Sequence, residues 1–196
     1  MMDHYIGKIL DKLDELGMAE DTIVVFTSDH GHFFGQHNLI AKGPFHYEDM
    51  IKIPFIVREP GVVPANKVNN SLQSLVDLTP TLLSKVGIEV PRTMAGKDES
   101  SVWNGEKDFL RTYVTCENQH TETTVNLRTL VNNRYKLTVY YNREHGELYD
   151  LEKDPNEFNN LWNNPEYSCL KSRMLLEFMW AEMDKVPLWM PRVSLA

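Results

Sequence analysis

A chain of 196 residues with 42% apolar and 24% charged content is long enough for one sizeable core, or for one domain with a small appendage. A net charge of -8 with no cluster of Lys and Arg excludes a nucleic-acid surface built on phosphate contacts. No apolar run reaches the roughly eighteen residues a membrane span needs, and MMDHYIGKIL lacks the basic, apolar and small-residue succession of a secretory signal, so no membrane partner is expected and no compartment is named.

Ile6, Ile9, Leu10, Leu13 and Leu16 recur at helical spacing with Lys8, Lys12, Asp14 and Glu15 on other faces, which predicts an amphipathic helix closed by Gly17. The run TIVVFTS at 22–28 is β-branched and almost wholly apolar, the pattern of a central strand covered on both faces. Helix then strand reads as half of a βαβ unit. A second apolar run, IPFIV at 53–57, precedes a Pro60-Gly61 turn. In SLVDLTPTLLSKVGI at 74–88, Asp77 or Thr79 caps a helix with Pro80 in its first turn and Gly87 at its end. Residues 1–108 are therefore expected to form part of a three-layer α/β domain, closing with an aperiodic linker or surface connection over 90–108.

Residues 109–196 are expected to form a small subdomain. LRTYVTCEN, TVNLRTLVNN and YKLTVYY are β-rich runs with an Asn132-Asn133 turn between the last two, which predicts an antiparallel sheet. ELYDLEKDPNEFNNL reads as a short extended piece ending in a turn at Asp154-Pro155. The stretch 167–183 reads as a closing helix with Leu170, Met174, Leu175, Phe178 and Met179 on one side. Cys116 and Cys169 have no neighbouring partner and read as free thiols.

The first strand runs into Asp29-His30-Gly31, with His32, His37, Lys42 and His46 close behind. In an open α/β sheet the carboxyl end of a strand faces the ligand crevice. A carboxylate and an imidazole side by side can serve a divalent metal, and a long lysine stem can reach an anionic oxygen held there. The same residues also fit a capped turn with solvated histidines, since a metal site needs further ligands. Phe33, Phe34, Phe45 and Tyr47 suit a sugar-lined pocket or core packing equally well, and a 119–124 hairpin is a further candidate for the pocket wall.

Three segments in order, LDKLDELGMAEDTIVVFTSDHGHFFGQHNLIAKGPFHYEDMIKIPFIVREPG, SLVDLTPTLLSKVGIEVPRTMAGKD and GELYDLEKDPNEFNNL, resemble the sulfatase family of the alkaline-phosphatase-like superfamily. The resemblance implies an α/β fold: a partial alkaline-phosphatase-like three-layer sandwich, then a small α+β subdomain with an antiparallel sheet and a C-terminal helix. It implies Asp29 and His30 as ligands of one divalent cation, calcium first, with magnesium or manganese as alternatives. It sets Lys42 on a sulfate oxygen and groups His37 with the substrate-binding residues, while His32 and His46 have no counterpart. A sulfated small molecule or sugar would be the partner of the complete enzyme. Phosphodiesterases and phosphonate monoester hydrolases of the same superfamily remain the alternative, as does a non-catalytic binding module, although the ELYDLEKDPNEFNN block favours a sulfatase.

The family's nucleophile is a formylglycine made within a Cys/Ser-x-Pro/Ala-x-Arg motif, and no such motif occurs in the sequence. Cys169-Leu170-Lys171-Ser172-Arg173 has the ends but Lys171 in place of Pro or Ala, on an expected helix. The expectation is a C-terminal portion with no catalytic nucleophile, inactive alone. Its formylglycine would lie in a missing N-terminal part. An open sheet edge at 22–27 would invite pairing with a second copy or with that missing half.

Overall fold

The computed structural model describes residues 1–120 and 125–185. The strongest β patterning in the chain produces its main core. β5 (Tyr113–His120), β6 (Val125–Asn132), β7 (Tyr135–Tyr140) and β8 (Gly146–Asp150) form an antiparallel meander in that order. The Asn132 side-chain oxygen accepts the Arg134 and Tyr135 N–H groups at 2.9 and 2.7 Å, which closes the β6–β7 turn where the sequence places it.

Register then sorts the side chains. Leu130 pairs with Leu137 and Leu137 with Leu148, so all three stand on one face, fully buried. α5 (Ser168–Asp184) covers that face with Met174, Phe178 and Ala181, joined by Leu161. Burying each such leucine contributes about 2 kcal/mol. Leu175 and Met179, expected on the inward side of this helix, are exposed, because only one narrow stripe of α5 meets the sheet. The opposite face of the sheet carries Thr129, Val131, Lys136 and Thr138, which are also buried.

The N-terminal part packs less densely. α1 (Met2–Glu15) forms as its periodicity requires, yet buries none of its residues. β1 (Val24–Thr27) pairs with β4 (Phe55–Arg58) antiparallel, Val25 opposite Val57. An intervening short hairpin and helix turn the chain back beside β1, so β1 and β4 are not joined by a parallel crossover. The hairpin is β2 (Phe33–Phe34) with β3 (Ile40–Ala41), followed by α2 (Glu48–Ile51), elements too short for any period to show in sequence. β1 is also not covered on both faces, since Phe26 and Ile56 are exposed.

A 3-10 turn at Leu75–Asp77 leads into α3 (Leu78–Lys85) and opens with a capping box in which Ser74 and Asp77 bond each other's backbone. Asp77 is thus the returning acid of that box and also the N-cap residue of α3, although its side chain makes no capping bond to α3 itself. Its buried carboxylate also accepts the Lys97 N–H at 2.8 Å and Arg111 Nη2 at 2.5 Å, while Arg111 Nε lies 3.4 Å from buried Glu99. The 90–108 stretch is accordingly no free linker: it contains α4 (Ser100–Trp103), with Val102 and Trp103 buried. Arg111, from beyond the expected boundary at 108, holds it. Both cysteines are free thiols, as expected. The expected 119–124 hairpin and residues 186–196 lie wholly or partly outside the described residues.

Candidate metal and anion site

β1 delivers Asp29 and His30 as the start of a tight turn. The His30 N–H donates to Asp29 Oδ1 at 2.9 Å, and this bond, with the neighbouring imidazole, holds the Asp29 carboxyl below the usual carboxylate range. Asp29 Oδ2 then stands 3.6 Å from His30 Nε2. On the other side of the ring, His30 Nδ1 lies 2.7 Å from the Gly31 carbonyl oxygen. A proton on Nδ1 donating there leaves the Nε2 lone pair facing Asp29, the arrangement that metal-ligating histidines take. Two ligand atoms each about 2.3 Å from one cation and roughly at right angles would lie about 3.3 Å apart, so the observed separation fits a shared divalent ion. Among the described residues no third His, Cys, Asp or Glu completes a cluster.

The turn is fixed from the far side. The Gly31 N–H donates to the Met50 carbonyl at 2.7 Å and the His32 N–H to that of Asp49 at 3.0 Å. A Cβ at position 31 would overlap the Asp49 carbonyl oxygen, so only glycine lets the two backbones approach.

Lys42 leaves the end of β3, exposed, and lines with Asp29, His30, His46 and Glu48 a cleft of about 2070 Å³. The loop between the acid–imidazole pair and Lys42 contains His37, Asn38 and Ala41 at φ of 53°, 59° and 67°, the left-handed region that L-residues avoid. His37, grouped by sequence with the substrate-binding residues, has its ring stacked on Tyr47 with centroids 3.7 Å apart, and Phe158 stands 5.5 Å away. The Tyr47 hydroxyl donates to Glu147 at 3.2 Å, and burial with that carboxylate pushes its phenol up to about 12. Phe33 is core and Phe34 is exposed, which divides the aromatic residues that sequence left open.

His46 is buried, its Nδ1 hydrogen-bonded at 2.9 Å to Thr129 Oγ1, which lies 2.8 Å from Thr138 Oγ1. Beside them buried Lys136 forms ion pairs with Glu157 and, at 3.1 Å, with Glu48. Sequence reasoning missed this group. Its one legible signal is a lysine and two threonines, at positions 129, 136 and 138, inside apolar strands.

The family model for N-sulphoglucosamine sulphohydrolase, C-terminal, matches residues 35–185. The chain belongs to the sulfatase family. It corresponds to the C-terminal part of such proteins, within the alkaline-phosphatase-like superfamily. An N-acetylglucosamine-6-O-sulfatase of Bacteroides thetaiotaomicron is 31% identical over 184 residues, which is 89% of this chain and 32% of that protein. A solved structure of a protein in complex with its substrate D-glucosamine-2-N,6-O-disulfate matches with a TM-score of 0.88 at 27% identity, over 93% of this chain and 38% of that one. A phosphonate monoester hydrolase of Agrobacterium radiobacter shares the fold, with a TM-score of 0.84 at 24% identity over 94% and 39% of the two chains. The chain spans 32% to 38% of the length of three curated relatives it matches.

Proposed function

We propose that this sulfatase chain contributes one wall of a sulfate-ester hydrolase site, with Asp29 and His30 on a divalent cation and Lys42 on the ester anion. The observation that carries this is the Asp29–His30 geometry: Oδ2 and Nε2 face each other at 3.6 Å, and the remaining ring nitrogen is engaged by the Gly31 carbonyl. Calcium is the ion proposed first, since one carboxylate and an exposed turn leave room for oxygen ligands from solvent and substrate. A bound divalent cation would neutralise charge on the ester oxygens. Lys42 would donate to one of those oxygens as a point charge on a long stem. His37 would shape the loop by stacking on Tyr47, and so act on the substrate through Lys42. We assign residues 1–108 to the α/β catalytic domain and residues 109–196 to the antiparallel-sheet subdomain.

A sulfated sugar is the proposed substrate class of the whole enzyme, supported by the relative that is an N-acetylglucosamine-6-O-sulfatase. The covalent nucleophile is no part of this proposal for the chain, because its motif does not occur in the 196 residues. The test is calcium titration calorimetry together with 4-nitrocatechol sulfate hydrolysis. Calcium binding lost in the Asp29→Asn and His30→Ala variants, with no turnover by the 196-residue chain, is the expected result. Unchanged calcium binding in both variants, or turnover by the chain alone, would overturn it. Turnover of 4-nitrophenyl phenylphosphonate, a phosphonate monoester, without turnover of the sulfate ester would instead support the phosphonate alternative.

A further inference from the structure

We infer that Lys136 and Glu157, in and beside the C-terminal sheet, are positioning residues that hold the Asp29–His30 turn in ligand geometry through α2. The inference rests on the metal reading of that turn. Lys136 is the second residue of β7, and only 1% of its side chain is exposed. An ammonium placed there is tolerated only if its charge is answered, and the two carboxylates that answer it are Glu157 and Glu48.

Glu157 sits at φ 58°, a backbone that a residue with a Cβ adopts at a cost, and this aims its carboxylate inward. One oxygen of Glu157 meets Lys136, and Oε2 accepts the Glu48 N–H at 2.6 Å. Glu48 opens α2, and the carbonyls of its next two residues, Asp49 and Met50, accept the His32 and Gly31 N–H groups. The path from buried ammonium to acid–imidazole pair is therefore a continuous set of bonds: Lys136, the two carboxylates, the α2 backbone, then the turn. His46, bonded to Thr129 on the same face of the sheet, pins the segment just before α2.

A merely structural pair would destabilise every amide alike when broken, whereas a positioning pair releases the turn first. Amide hydrogen exchange in the full chain separates these cases, comparing wild type with Lys136→Met and Glu157→Gln. Expected in each variant is exchange at Gly31 and His32 accelerated roughly tenfold or more beyond any acceleration at Leu130 and Leu137, which report global opening. Manganese titration, read as paramagnetic broadening of the His30 and Gly31 amides, should give roughly tenfold or more weaker affinity in the same variants. Unchanged exchange at Gly31 and His32, or equal acceleration at all four amides, would overturn the inference. Should Lys136→Met fail to fold, Glu157→Gln decides alone. The Asp29→Asn variant separates the two readings: unchanged manganese affinity there removes the metal, while the exchange rates still judge the positioning.

Discussion

Acidification should weaken the joint between the ionisable loop and the C-terminal sheet, and His46 sets the size of the effect. Burial, then the nearby Lys136 ammonium, push this imidazole down from 6.5 to about 4. Between those values the unfolded chain binds a proton that the folded chain refuses. The stability contribution is therefore complete above pH 6.5 and is lost as pH falls toward about 4. A depression of about 2.5 pH units at about 1.4 kcal/mol each gives about 3 kcal/mol. Urea unfolding followed by tryptophan fluorescence at pH 7.5 and at pH 4.5 should show wild type losing about 2 to 3 kcal/mol more than His46→Gln. Asp29, Asp98, Glu117 and Asp150, whose carboxyls are held low by hydrogen bonds and neighbouring cations, add an acid loss common to both proteins, which the difference removes. An equal loss in wild type and His46→Gln would refute the reasoning.

Removing Arg111 should be far costlier than its place on the sequence suggests. Arg111→Leu leaves the Asp77 and Glu99 carboxylates buried without their cation, and about 3 to 5 kcal/mol should disappear in chemical denaturation. Gly31→Ala should push the turn away from Asp49 and abolish metal-induced broadening at His30, with the near-ultraviolet dichroism of the sheet core retained. Lys42→Ala should weaken sulfate binding in calorimetry while changing stability by less than about 0.5 kcal/mol, because the side chain is exposed.

Where a pattern repeats over several residues, sequence was enough. The Leu130, Leu137 and Leu148 face follows from alternation, the Asn132 turn from its side chain, and α1 and α5 from helical period. The pairing of β1 with β4 was not legible, since the apolar runs are alike whether strands lie parallel or antiparallel, and direction is decided by the connection. α2 and α4, four residues each, leave no period to read. At the site, Asp29, His30 and Lys42 could be named from residue type and family resemblance, and all three line one cleft. The contacts of His46 with Thr129, of Lys136 with Glu48 and of Glu157 with Glu48 could not be: they join residues separated by up to 109 positions, and a single chain read alone carries no sign of such encounters.

The loop from the acid–imidazole pair to Lys42 has one more consequence. With His37, Asn38 and Ala41 all in left-handed backbone and the His37 ring clamped on Tyr47, few other shapes satisfy the same contacts. The entropy of arranging that loop is lost when the protein folds. An arriving anion would then find the lysine end already ordered, and its binding free energy would go to recognition and not to assembling the site.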